Sequence, residues 1–414
     1  MSHARLLAPL RRGPIALLWG GLALSAIGDQ LYTVALTWVA VGVFGAAAGY
    51  LTALSAVVVL AVALLAGAHA DQWDQRRLMI GADVLRAFVL VIVVSVWAAT
   101  GAPQAWSLIA AVVLLAGAQA LFQPALQAVL PGLVSDVSLL PASNALLDST
   151  DRIARLLGPG LIALLGGFIP VMHFFSLDAA SFAVSAIAVT LISCHVAADP
   201  RPAGREGVIA SIVRGFGTVR RHVLLGFTLS ITGVLNGTWY AAFFLGIPLL
   251  IEQRGITGPG GSGLGAYGLV IASYGCTNLL ATLVVGSRTL PARPGGQMFG
   301  GTMIGGLGIV LLGLAAAAPL GPAVLLALFA AFAALTAIGG PMKDIPLAVL
   351  RQTELPRRDL PAAMRAFLVS ANAGLLAAML VAPLAFETLG VPLTLLVCGA
   401  TNLAIGVLGV WKFR

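Results

Sequence analysis

Apolar runs of more than 20 residues follow one another along the chain, as in 15–44 and 78–100, with only short turns between them. Lipid is the solvent that such runs fit. A helix crosses the hydrocarbon core with about 20 apolar residues and satisfies all its backbone hydrogen bonds internally. The runs are continuous and do not alternate with period two, so a membrane barrel is excluded. Charged residues are 9% of the 414 and hydrophobic residues 59%, with mean hydropathy +1.02. Soluble domains carry roughly 25% charged residues, and a soluble chain of this length has no place for so much apolar surface.

On the span-length rule the sequence predicts an all-α membrane protein of twelve transmembrane helices, at about 14–44, 47–70, 78–100, 105–134, 143–168, 173–195, 222–251, 264–287, 296–318, 322–350, 360–387 and 391–411. The start has Arg5, Arg11 and Arg12 before an apolar run. That run is too long for a signal peptide and is read as a retained first helix. Seventeen of the 23 basic residues fall in the tails and the even-to-odd connections, among them Arg76, Arg77, Arg220, Arg221, Arg357 and Arg358. The opposite connections hold one, Arg254. This asymmetry places both termini of a multi-pass membrane protein in the cytoplasm. It also explains the net charge of +8 without nucleic acid as a partner.

Residues 196–221 are the longest polar stretch and divide the spans six and six. The expected organisation is an N-terminal six-helix bundle over 1–195, a cytoplasmic linker over 196–221 and a C-terminal six-helix bundle over 222–414. Within the linker, Val208–Arg221 reads either as a basic amphipathic helix on the membrane surface or as an ordered connection. A short repeat supports duplication. Ala128-Val129-Leu130 is followed by Leu140-Pro141-Ala142, and 220 residues later Ala348-Val349-Leu350 is followed by Leu360-Pro361-Ala362. Two pseudo-symmetric halves place a substrate cavity where they meet, near the midplane.

An ionisable residue inside a span is a functional candidate, because its charge costs ~2.5–3.5 kcal/mol at the helix centre even on the lower estimates. Asp29 lies midway along the first helix with no basic residue within four positions. It suits proton uptake and release, or contact with a cationic substrate. Helix 5 opens with Asp148, Asp151, Arg152 and Arg155, whose i,i+4 spacing permits mutual neutralisation along one side or an ionic latch. Lys343 and Asp344 lie in helix 10 between Gly339-Gly340-Pro341 and Pro346. They project about 100° apart and need not pair. Arg365 and Asp178 are further candidates. Gln30, Tyr32, Trp38, Gln119, Gln123, Asn236, Trp239, Tyr240 and Asn372 supply polar and aromatic groups for an amphipathic cavity, with ordinary helix packing as the alternative for each aromatic. Gly258–Gly265 lacks the Gly-Lys-Ser/Thr of a phosphate loop. No nucleophile–base set is recognisable, and Cys194, Cys276 and Cys398 are scattered. The chain reads as neither an enzyme nor an ATPase, with no cofactor and no metal. Its energy must come from an ion gradient or from the substrate's own gradient.

Gly67, Asp71, Arg76 and Arg77 lie in the break between the second and third spans. With twelve spans divided six and six, this break resembles the Gly-x-x-x-Asp loop of the major facilitator superfamily. The resemblance implies that fold, and that Asp71 caps the positive end of helix 11 and pairs with a basic residue to form a cytoplasmic gate. Residues 71–77, 122–131 and Ile153-Ala-Arg155-Leu-Leu-Gly158-Pro159 resemble the exporter branch that includes macrolide-efflux and enterobactin-export proteins. Gly158 and Pro159 resemble the antiporter motif of helix 5, although Ile162-Ala163 stand where that motif has Gly-Gly. The resemblance implies a monomeric secondary exporter that moves an amphipathic small molecule, a drug or a siderophore, out of the cytoplasm by proton antiport. The other readings are a lysophospholipid transporter with a lateral opening and a non-transporting sensor or assembly protein on the same fold.

Overall fold

The structure is a computed structural model that describes residues 13–65, 73–133, 140–192, 208–356 and 358–413. Among these residues it is helical and has no strand. The helices are α1 (Gly13–Phe44), α2 (Ala48–Leu65), α3 (Gln75–Thr100), α4 (Ala105–Leu133), α5 (Leu140–Leu165), α6 (Met172–Leu191), α7 (Val208–Arg220), α8 (Val223–Tyr240), α9 (Ile247–Gln253), α10 (Gly263–Gly286), α11 (Pro294–Ala317), α12 (Pro322–Glu354), α13 (Leu360–Leu389) and α14 (Val391–Phe413). Ten stretches are long and apolar enough to cross a membrane, and the first of them, Gly13–Val62, carries both α1 and α2. Contacts divide the chain into two compact units. One is Met1–Val43, Leu54–Ile162 and Phe168–Arg205; the other is Phe44–Ala53, Ala163–Gly167 and Glu206–Arg414.

Turn chemistry sets the helix ends. Gly45 at φ 56° separates α1 from α2. Asp74 caps α3 by accepting from the Arg77 N–H at 3.1 Å, which satisfies one of the orphan donors of a helix start. Gly101 at φ 76° ends that helix, and its N–H bonds the Trp97 carbonyl, a left-handed cap that favours glycine. Ser262 caps α10 in the same way as Asp74 caps α3, from the Gly265 N–H at 2.9 Å. A π-turn over Ala241–Gly246 joins α8 to α9. The next residue but one is Pro248, which has no N–H for the ladder, and a widened turn absorbs that missing donor. The Leu-Pro-Ala repeat opens α5 at Leu140 and α13 at Leu360.

Lipid supplies no hydrophobic drive between helices, so close packing has to hold them together. In the second unit α8 and α13 meet through small residues. A Cβ at Gly237 would stand 2.6 Å from the Ala378 Cβ, and one at Gly233 2.7 Å from the Ser370 carbonyl. Gly374 lies directly against the Gly233 backbone. The paired motifs are Gly233-x-x-x-Gly237 and Gly374-x-x-x-Ala378.

The helix foreseen in the polar stretch is α7, and it packs on the start of α13. Gly215 lies against the Ala362 carbonyl, Arg365 donates to Ser211 Oγ at 2.6 Å, and Arg214 pairs with Asp359 at 3.8 Å. Val219 joins Leu225, Leu350 and Phe367 in one buried cluster, while Ile209 and Val213 stand exposed. Protein covers one side of this helix.

Gly374→Val is expected to force α8 and α13 apart. Overpacking of this kind costs about 1–3 kcal/mol or more, read as a fall of several degrees in the unfolding temperature in detergent. An unchanged melting curve would refute the close contact.

Candidate functional site: a buried charge network in α1, α3, α4 and α6

Asp83 and Arg86 lie one turn apart on α3 and are 0% and 2% exposed. Within the span they neutralise each other: an Arg86 Nη donates to Asp83 Oδ1. The other Nη donates to Gln119 Oε1 on α4 at 2.5 Å. Phe122 of α4 and Phe182 of α6 lie over the guanidinium at 4.6 and 4.2 Å from its carbon. The negative faces of the two rings favour the cation, by about 2 kcal/mol when it is desolvated. One guanidinium thereby links three helices.

Asp178 on α6 is 0% exposed. The Ser181 hydroxyl donates to its carbonyl at 2.8 Å and to Oδ1 at 3.1 Å. Gly28 of α1 lies against this group: a Cβ there would be 2.6 Å from Asp178 Oδ1 and closer still to Ser181 Oγ. The next residue is Asp29, which is half-buried. Asp29 is within electrostatic reach of Arg86, Asp83, Asp151 and Asp178. At 1.5 Å per residue, Asp29, Arg86 and Gln119 sit about 24, 16 and 21 Å from the starts of their helices, near mid-span in each.

Tyr32 follows one turn after Asp29. Its ring packs edge-on against Phe175 at 5.3 Å, and Phe175 packs against Trp97 at 5.8 Å. The hydroxyl feels both Asp178 and Asp29. Asp83 has the Ser185 hydroxyl of α6 beside it. Three buried atoms here have no hydrogen-bond partner among the described residues: Tyr32 Oη, Arg86 Nε and Asp178 Oδ2. Buried polar atoms are rarely left so. On the other side of α1, Gly158 of α5 abuts Gln30, where a Cβ would reach within 3.2 Å of the Gln30 backbone. Gly158 and Pro159 therefore let α5 approach α1 next to Asp29.

The remaining candidates are dispersed. Arg76 donates from Nε to the Val189 carbonyl at 3.0 Å and from an Nη to the Thr190 carbonyl, closing the end of α6 with a cation where the helix dipole favours one. Arg77 forms an exposed pair with Asp74 at 3.4 Å. Gly67 and Asp71 lie outside the described residues, as do the side chains of Asp148 and Arg152. Asp151, Arg155 and Gln123 are exposed, and Trp38 is half-buried. In the second unit Lys343 and Asp344 pair at 2.9 Å. Asn236 donates to the Ala371 carbonyl at 3.1 Å, and Asn372 to Leu368 in its own helix. Trp239 and Tyr240 belong to an aromatic cluster at the π-turn with Phe243, Phe244 and Tyr274, at centroid separations of 5.0–5.6 Å.

Asp83 and Arg86 are the residues that sequence reasoning missed. The available signal was an acid and a base three positions apart inside the 78–100 span, with Arg86 among the six basic residues outside the tails and even-to-odd turns.

The sequence matches the model of the Major Facilitator Superfamily over residues 18–342. The chain belongs to the Major Facilitator Superfamily. Its fold is that of solved transporters at low identity. The nucleoside transporter NupG is 12% identical with a TM-score of 0.72, over 97% of this chain and 100% of that one. The POT family transporter PepTSo is 11% identical at 0.72, over 96% and 97%. A bacterial homologue of the iron transporter ferroportin in an inward-facing state is 13% identical at 0.72, over 96% and 98%. No curated protein matches the chain in sequence. Membership of this transporter family, with its ten apolar stretches long enough to span a membrane, makes it a multi-pass membrane transporter.

Arg86→Leu is expected to destabilise the protein by about 3–5 kcal/mol, because it leaves Asp83 charged and unmatched in a dry site. Adding Asp83→Asn to Arg86→Leu should recover most of the loss in a detergent melting experiment. A double variant no more stable than the single one would show that the two groups do not act as a pair.

Proposed function

We propose that this superfamily member is an exporter of the cell (inner) membrane that moves an amphipathic small molecule out of the cytoplasm while protons enter. The cargo class is a drug of the macrolide kind or a siderophore, and the working unit is a monomer cycling by alternating access. The observation that carries the reading is Asp29, a half-buried carboxylate at mid-span in α1. Charge at that depth is costly, so a carboxylate that passes between wet and dry surroundings favours a proton in the dry one. The binding and release of that proton then bias the two states differently, which is what coupling requires. The positive neighbour is Arg86 and the negative ones are Asp83, Asp151 and Asp178.

Outward direction and cargo class are supported by the resemblance of residues 71–77, 122–131 and 153–159 to the exporter branch. The same resemblance assigns Gly67, Asp71, Arg76 and Arg77 to a cytoplasmic gate. The grip of Arg76 on the last carbonyls of α6 suits that role, since a shift at the start of α3 would move α6 with it. Lys343, Asp344 and the aromatic cluster at the π-turn are the cargo-facing candidates of the second unit. π-turns recur at functional sites.

The test is export from cells carrying wild type or Asp29→Asn, with the gene deleted from the background. Erythromycin retention and the small-molecule content of medium and cytoplasm are both measured. Wild type is expected to lower intracellular erythromycin or to return one metabolite to the medium. Asp29→Asn is expected to cut pH-gradient-driven export at least ~10-fold at equal protein level and equal melting temperature, as loss of a required proton carrier would. Export undiminished in Asp29→Asn would remove Asp29 from the mechanism.

A further inference from the structure

Among the described residues the charge network holds the buried or half-buried carboxylates of Asp29, Asp83 and Asp178, the exposed Asp151 at its edge, and the guanidinium of Arg86. Arg86 stays cationic in a protein, and its paired acid is Asp83 on the same helix face. Asp29 and Asp178 are then two acids with no second cation beside them among the described residues. Gly28 has no side chain, so the Asp178 carboxylate lies against the α1 backbone one residue before Asp29, within the electrostatic reach of Asp29. The groups facing them are Asp83 and Arg86 from α3, Asp151 from α5, Ser181 from α6 and Tyr32 from α1. Ser181 satisfies only Oδ1 of Asp178, while Oδ2 and the Tyr32 hydroxyl are buried without partners among the described residues. An open carboxyl oxygen and an open hydroxyl beside a second acid leave a place for a proton. A single proton completes it. Two carboxylates that share a site do not both ionise.

We propose that Asp29 and Asp178 form one proton site, in which a single proton is shared between their carboxyls. Asp29, half-buried, is the member that exchanges with water. Asp178, fully buried, is the member that holds the proton out of water. The step balances simply. A proton arriving at Asp29 passes to Asp178 Oδ2 and leaves Asp29 anionic, and the reverse transfer releases it; no other bond forms or breaks. The Tyr32 hydroxyl, open and within the field of both carboxyls, is the neighbouring donor. Asp83 and Arg86 neutralise each other beside the pair and hold the site to one proton. The sharing rests on this geometry, and its use in coupling rests on the exporter reading above.

The test reads the carbonyl stretch of protonated carboxyls by infrared spectroscopy on the purified full chain in detergent at neutral pH. No cargo is needed, so its outcome is independent of whether export is found. Wild type is expected to show one protonated carboxyl, and Asp29→Asn and Asp178→Asn are each expected to lose that band. A band lost in only one of the two variants, or no band in wild type, overturns the sharing. Where Asp178→Asn does not fold, Ser181→Ala carries the test, because it removes the hydroxyl that donates to Asp178. The wild-type band should shift in frequency if Asp178 holds part of the proton, and an unmoved band overturns the proposal.

Discussion

A charge inside lipid has to be matched inside the protein, and α3, α4 and α6 meet around one such match. Arg86 cannot shed its proton and lies near mid-span in α3. Its solvation is supplied by Asp83, by the Gln119 amide oxygen and by the faces of Phe122 and Phe182. These groups come from α3, α4 and α6. Desolvating the guanidinium without them would cost several kcal/mol, so the position of each helix relative to the others is fixed by a requirement stronger than any single apolar contact. The same requirement makes Asp178 and Asp29 consequential, since Arg86, the cation the described residues place here, is already matched by Asp83.

The two units solve the packing problem with different emphasis. In the second, α8 and α13 meet through paired small residues, and Gly306 of α11 lies against Gly399 of α14 in the same manner. Polar links there include side chain to carbonyl, as in Asn236 to Ala371 and Asn278 to Ala337, and side chain to side chain, as in Thr238 to Asn402. In the first, glycines at 28 and 158 bring helices close to polar partners, Asp178 and Gln30, in addition to allowing backbone approach. The two units share the Leu-Pro-Ala helix start at 140 and 360, so their chemistry diverges on a common frame: the charged side chains of α5 have Leu368, Ala371 and Asn372 as counterparts 220 residues on.

The spans were legible in the sequence because lipid imposes a length and a composition, and both can be read without knowing which helix touches which. The observed ends fall close to the expected ones, as with 264–287 against Gly263–Gly286 and 391–411 against Val391–Phe413. The buried network was less legible for the same reason. In a lipid-facing helix apolar residues occupy every side, so the pattern does not reveal which face meets protein. Asp29 stood out as an isolated charge, but nothing in the sequence says that α6 brings Asp178 to it. Arg86 was hidden by a rule that reads arginines as markers of the cytoplasmic ends. Lys343 and Asp344 pair although their directions from the helix differ, because the lysine stem is long enough to bring its ammonium back to the neighbouring carboxylate.

Three consecutive residues of α1 show how a proton could do mechanical work here. Gly28 touches α6 through Asp178 and Ser181, Gln30 touches α5 through Gly158, and Asp29 stands between these two close approaches. Neither contact has slack, because both replace a Cβ with a neighbouring helix. A change of charge at residue 29 therefore acts where α1 is gripped on both sides. In the proton site proposed above, an anionic Asp29 would repel Asp178, and a shared proton would remove that repulsion. The difference between these arrangements lies in the electrostatics of the pair and not in the packing of the bundle. That is the form a coupling element requires: two arrangements of similar packing, separated by a few kcal/mol, whose balance one proton can tip.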